Sequence, residues 1–173
     1  MSLICKQLFE HDSSTFTYLL ADSVTREAAI IDAVDSMIER DIALIQELEL
    51  DLKFIIETHI HADHITSACP LKKSFPLAKI VIGIENTDAE ACADIMVGEG
   101  HILPIGEHEI AAIETPGHTP GCISYLVDDK VFTGDALFIR STGRCDFQGG
   151  SASTLYHSIH KLFRLPDSTL VYP

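Results

Sequence analysis

Three short segments of this chain place metal-capable side chains directly after an apolar run: THIHADH at positions 58–64, TPGHTPG at 115–121 and FTGDAL at 132–137. Loops that follow strands are held by a rigid scaffold, and binding groups concentrate there. In the first segment an extended backbone turns His59 and His61 to one side, so both imidazoles can approach one ion or two neighbouring ions. Asp63 and His64 follow at once. A single histidine is more often a solvated surface group, but four such groups at this spacing read as a ligand cluster. His118 lies between Pro116-Gly117 and Pro120-Gly121, in a loop whose glycines permit tight turns. Asp135 follows Gly134; alone it would cap a turn, and it gains weight from the first cluster.

Together His59, His118 and Asp135 offer two imidazoles and one carboxylate to one face of an ion and leave the other face open. That set suits non-haem Fe(II) and oxygen chemistry. Zinc accepts the same ligands with an open water position, so hydrolysis remains a second reading of these residues. His11, His101, His108, His157 and His160 lie outside the motifs, and His157 with His160 reads as a surface pair on a helix.

The elements that must position these groups can be read from periodicity. Leu3 to Phe9, Thr15 to Leu20 and Glu27 to Val34 are expected strands, and Leu52 to Glu57 is a buried strand that runs straight into the histidine cluster. Ser36 is expected to cap a helix whose inner face carries Ile38, Ile42, Ile45 and Leu48. Further strands are expected at Lys79 to Ile84, Glu109 to Glu114, Cys122 to Val127, Lys130 to Thr133 and from Thr169. A helix is expected over Ser151 to Leu165, with Leu155, Ile159 and Leu162 inside. Mixed strands and helices in this order suit packed sheets with helices outside.

At 173 residues the chain has the length of a single domain, 1–173, able to bury roughly 70% of its unfolded surface. A hydrophobic share of 46% with 22% charged residues is ordinary for a globular protein. No apolar run reaches the roughly 20 residues that span a bilayer, and the start lacks the layout of a secretory signal, so a cytoplasmic protein without a membrane partner is expected. Twenty-six acidic residues against 12 Lys and Arg give a net charge of −14, which repels nucleic acid. The five cysteines are odd in number and contain no C-x-x-C pair, so most are expected to be small buried hydrophobes.

In type and order THIHADH, then GH in TPGHTPGC, then GD in FTGDALF resemble the metallo-β-lactamase superfamily, over nearly the whole chain. The resemblance implies an α+β fold, an αββα sandwich of two mixed sheets with helices on both outer sides and a metal at one edge. Positions 139–166, IRSTGRCDFQGGSASTLYHSIHKLFRLP, are similar to the persulfide dioxygenases, also called sulfur dioxygenases, with GRCDFQ the specific signal. That implies oxidation of glutathione persulfide by O2 to sulfite and glutathione on one Fe(II) per chain, with Zn(II) as a substitute. The family's iron ligands fall on His59, His118 and Asp135. His61, Asp63 and His64 match positions that orient the ligands or hold a second metal. Arg144 and Gln148, with Arg140 nearby, match a polar wall for substrate, where an Arg can pair with a carboxylate.

In this superfamily the strand beginning near Leu170 leads to a further histidine, and the sequence stops at Pro173, so the expected sandwich is C-terminally incomplete and its site mononuclear. Exposed strand edges there would favour a homodimer. Two other readings compete: a glyoxalase II-like hydrolase of glutathione thioesters using two metals, and a non-catalytic domain that keeps the fold.

Overall fold

The computed structural model describes residues 2–86 and 92–173. Two mixed sheets lie face to face. The first contains β1 (Leu3–Phe9), β2 (Phe16–Asp22), β3 (Glu27–Ile31), β4 (Asp51–Ile56), β5 (Lys79–Gly83) and β6 (Ile95–Val97), in that spatial order. β1, β2 and β3 pair antiparallel, whereas β3 through β6 run parallel. The second contains β7 (Ile102–Ile105), β8 (His108–Glu114), β9 (Ile123–Val127), β10 (Lys130–Phe132) and β11 (Leu170–Tyr172), ordered β11-β10-β9-β8-β7. Its β10 and β11 are parallel and its other pairs antiparallel. Helices α1 (Ile38–Glu47), α2 (Ala68–Ser74) and α3 (Ala152–Leu162) complete the αββα sandwich.

The period of two along each strand sorts the core into layers. Tyr18, Leu20, Ala29, Ile31, Ile56 and Val81 face the space between the sheets and meet Ile105, Ile110, Tyr125 and Phe132 from the second sheet. One residue out of phase, Leu19, Ala21, Ile30, Ile55 and Ile80 face outward and are covered by Ile45 of α1 and Leu71 of α2. Both faces of β3, β4 and β5 are therefore dry toward their C-terminal ends, which is why they finish as the apolar runs Ala28–Ile31, Phe54–Ile56 and Ile80–Ile82 behind charged first residues. Burying each large apolar side chain contributes about 1.5–3 kcal/mol. α3 closes the other side: its Leu155 and Leu162 are buried, and its Ser158 hydroxyl donates to the Pro116 carbonyl at 2.6 Å.

Several sequence expectations need correction. Ser36 is not a helix cap, because residues Asp35–Met37 already form a 3-10 turn and Met37 precedes α1 without a side-chain cap bond. α2, β6 and β7 were not expected. α2 carries Pro70, which its first turn tolerates because an amide there has no intrahelical acceptor. β7 carries Pro104, tolerated because β7 is an edge strand. Of the five cysteines only Cys122 is buried, whereas Cys69 and Cys92 are exposed.

Candidate metal centre

β4 ends by leaving its own sheet. The Glu57 amide still donates to Val81 of the first sheet at 3.0 Å, but the next carbonyl, that of Thr58, accepts from Ile123 of the second sheet at 2.8 Å. His59 is thereby delivered to the edge where the two sheets meet, and only 3% of it is exposed. His118 reaches the same edge on the loop after β8. Gly117 fixes that loop against α3: its carbonyl accepts from the Ser151 amide at 2.8 Å. A Cβ there would stand 2.4 Å from Leu155, and its φ of +140° favours glycine. Asp135 arrives on the 3-10 turn Gly134–Ala136 that follows β10.

The ligand atoms of His59, His118 and Asp135 all lie within 4.8 Å of one another. His118 Nε2 is 3.4 Å from Asp135 Oδ2, and the His59 and His118 rings stand nearly perpendicular, at 88°. Hydrogen bonds fix which nitrogens face inward. His118 Nδ1 lies 2.6 Å from the Arg144 carbonyl, an acceptor only, so Nδ1–H donates and Nε2 keeps its lone pair. His59 Nδ1 lies 2.9 Å from the Thr58 hydroxyl, whose own proton goes to Asp32 Oδ2 at 2.8 Å. That oxygen can therefore accept from His59 Nδ1–H, which leaves Nε2 of His59 as the free lone pair. Asp32 also accepts from the Thr58 amide at 2.7 Å. Two committed Nδ1–H groups and two inward lone pairs are what a metal ligand pair needs.

The electrostatics fit a cation. Burial drives His59 well below its usual range, aided by neighbouring His61, and so holds it in the neutral form that can ligate. Burial pushes the Asp135 carboxyl up against the pull of His118, so a positive ion beside it would relieve an unfavourable buried charge.

His61, Asp63 and His64 form a second group whose ligand atoms fall within 4.8 Å of one another. His61 is also held from another side: its Nε2 is 3.3 Å from Asp32 and 3.5 Å from Glu57. Burial alone would lower His61, but these two carboxylates outweigh it and raise it well above the ordinary value. Glu57 itself is pushed up to about 7, first by burial. His61 thus sits as a cation between acids as readily as it would ligate.

Beside the triad a cleft of about 560 Å³ is bordered by Ser13, Thr15, Phe16, Phe138, Ile139 and Ser141, a volume in the range of small-molecule sites. Arg140, Arg144 and Gln148 do not line it. Arg144 Nε donates to Asp146 at 2.8 Å, Arg140 is exposed, and Gln148 Nε2 reaches the Ile60 carbonyl at 3.5 Å. Asp32, Thr58 and Glu57 were missed by sequence reasoning. Thr58 could have been suspected from its place before H-x-H, but nothing near Asp32 marks it, since its partner is 26 positions away.

A family model described as the metallo-beta-lactamase superfamily matches residues 12–173. The chain is 45% identical over 174 aligned positions to the mitochondrial persulfide dioxygenase ETHE1 of Mus musculus, covering 99% of this chain and 67% of that protein. The crystal structure of ETHE1 from Myxococcus xanthus superposes with a TM-score of 0.93 at 46% identity, covering 98% of this chain and 74% of that one. The hydroxyacylglutathione hydrolase of Brucella ovis is 37% identical over 163 positions, covering 92% of this chain and 61% of the hydrolase.

Proposed function

The chain belongs to the metallo-beta-lactamase superfamily, and from that premise we propose that it is a persulfide dioxygenase that holds one Fe(II) through His59, His118 and Asp135 and oxidises glutathione persulfide with O2 to sulfite and glutathione. The observation that carries the reading is the convergence of two imidazoles with free Nε2 lone pairs and one carboxylate beside an open cleft. The likeness to two ETHE1 proteins across nearly the whole chain supports the reaction class. Bound there, iron supplies the redox chemistry with dioxygen that zinc, a d10 ion, cannot.

The chain's own residues bind, orient and exclude. Asp135 supplies the one negative charge among the three ligands. The Arg144 carbonyl and the Thr58 hydroxyl aim the two rings. Phe16, Phe138 and Ile139 give the cleft an apolar side for the sulfur-bearing part of the substrate, and Ser13, Thr15 and Ser141 offer hydroxyls to its polar parts. Arg140, Arg144 and Gln148 do not line the cleft, and their part, on the segment that continues from Phe138 and Ile139, is to meet whatever portion of the substrate extends beyond it. His61, Asp63 and His64 act as supporting groups around the single ion. The acidic balance keeps nucleic acid away, and no helix among the described residues is long and apolar enough to cross a membrane. A cytoplasmic homodimer completes the reading.

The second reading is a dinuclear thioester hydrolase, favoured by the His61, Asp63, His64 group and by the likeness to hydroxyacylglutathione hydrolase. One experiment separates them. The protein is loaded with iron or zinc, and oxygen uptake with sulfite release from glutathione persulfide is measured beside hydrolysis of a glutathione thioester. Oxygen uptake by the iron form and none by the zinc form is expected. Thioester cleavage by either form without oxygen uptake would overturn the dioxygenase reading.

A further inference from the structure

The turn between β1 and β2 carries a chain of hydrogen bonds whose direction is set by its two ends. At one end stands Glu10, only 2% exposed, a carboxylate that can only accept. It takes the Asp12 and Ser13 amides at 2.8 and 2.7 Å and the Ser13 hydroxyl at 2.5 Å. The Ser13 hydroxyl first, then the two amides, hold its carboxyl at about 2, so it is ionised at neutral pH. The Ser13 proton is thereby committed to Glu10. The Ser13 and Thr15 hydroxyl oxygens lie 2.8 Å apart, and the proton between them must come from Thr15. Thr15 Oγ1 also lies 3.3 Å from His64 Nδ1, where it is left to accept. Asp63 Oδ1, another acceptor, is 3.2 Å from the same nitrogen, so Nδ1 carries the hydrogen. The chain therefore runs one way, from His64 through Thr15 and Ser13 to Glu10.

Ser13 and Thr15 both border the cleft beside the triad. A hydroxyl oxygen has two lone pairs, and each of these has filled one, Ser13 from Thr15 and Thr15 from His64. Each still offers one lone pair and no proton, so this wall accepts and cannot donate. Asp32, Asp63 and Asp135 border the same cleft, and among the described residues no Lys or Arg does. A carboxylate entering on this side finds no partner in the wall, whereas an ammonium group finds two. We propose that Ser13 and Thr15 form the subsite for the ammonium group of the substrate, which in glutathione persulfide is the amino group of the γ-glutamyl residue. The subsite rests on the assignment of glutathione persulfide made above and names the end of it that enters. An ammonium has three N–H donors, enough to fill both lone pairs at once. Hydrogen bonds from a charged donor are roughly twice as strong as neutral ones, and the negative charge of Asp63 beside the wall adds to the attraction.

The test reads binding and needs no turnover. Calorimetry on the metal-loaded protein compares S-methylglutathione, a thioether without a persulfide, with its deamino derivative, in which a glutaryl group replaces the γ-glutamyl residue. Removal of the ammonium should weaken binding by roughly 10-fold or more, the worth of a hydrogen bond to a charged group. The gap between the two ligands should shrink in Thr15→Val and in Ser13→Ala, and Thr15→Ser should restore it, with metal content and circular dichroism matched in each variant. Equal affinity for the two ligands, no binding of either, or a gap undiminished in both variants would overturn the proposal. An ammonium preference in a protein whose iron form takes up no oxygen keeps the subsite and removes the dioxygenase reaction; oxygen uptake without the preference does the reverse.

Discussion

His59 and His118 are prepared for an ion by groups that do not touch it. A backbone carbonyl turns His118, and a hydroxyl anchored by the buried Asp32 turns His59. A carbonyl cannot be deleted by mutation, but the hydroxyl can. Thr58→Val keeps the shape of the side chain and removes the acceptor of the His59 Nδ1–H, so metal affinity should fall by roughly 10- to 100-fold, the usual cost of losing such a partner. Thr58→Ser should restore most of it. Competition titrations against a chelator measure both, and equal affinity in Thr58→Val would show that the His59 ring is held by packing alone. The triad was legible because its members follow apolar strands within recognisable strings. The Asp32–Thr58 pair was not, because a hydrogen bond between residues 26 positions apart leaves no local pattern. The same limit hid the contact of His61 with Asp32, though not that with Glu57, which is only four positions away.

At the level of elements the site depends on how closely strand ends approach. Gly134, with φ +47°, lets the turn bearing Asp135 lie against Thr58, where an added Cβ would stand 2.4 Å from the hydroxyl oxygen. Gly100 has a similar φ of +75° and nothing within 4 Å of its would-be Cβ. Gly100→Ala therefore incurs only the left-handed backbone penalty, about 1–2 kcal/mol. Gly134→Ala adds overpacking of about 1–3 kcal/mol and displaces Asp135. Urea midpoints should rank the unsubstituted protein above Gly100→Ala and Gly134→Ala lowest, with metal lost only in the last; equal costs would mean the turn relaxes without strain. The elements legible in sequence were those with both faces covered, since β3, β4 and β5 end in apolar runs that feed both layers of the core. α2 and β7 escaped because Pro70 and Pro104 read as breakers, although a helix's first turn and a sheet edge both tolerate proline. Ser36 read as a cap because its type suits one, but the preceding Asp35 amide is already bonded to the Ile65 carbonyl at 2.9 Å and starts the turn earlier.

Across the whole molecule the sandwich is tied at both ends. At the end that carries His59, His118 and Asp135 the Thr58 carbonyl joins the sheets by accepting from the Ile123 amide at 2.8 Å, and at the other Asp22, closing β2, accepts from the Glu107 amide in the turn between β7 and β8 at 3.0 Å. The same carboxylate accepts from the Val24 and Thr25 amides at 2.7 and 3.0 Å. These three bonds hold Asp22 down at about 2, against an ordinary 3.8. Glu10 is likewise held down at about 2, chiefly by the Ser13 hydroxyl and amide. A carboxyl whose folded value lies below its unfolded one contributes stability that is complete above the unfolded value and is lost as pH falls toward the folded one. Both groups therefore make the fold acid-sensitive between roughly pH 4.5 and pH 2. Asp22→Asn removes one of them. It should be less stable than the unsubstituted protein at neutral pH, and the gap should narrow as pH falls through this window. At pH 3 its unfolding should take up about one proton fewer, because the unfolded Asp22 is largely protonated there and the folded one is not. Urea unfolding of metal-free protein at a series of pH values measures that slope and keeps acid-driven metal release out of the comparison. Parallel loss of stability in the two proteins would place the acid sensitivity elsewhere and leave the join between the sheets at that end to apolar packing alone.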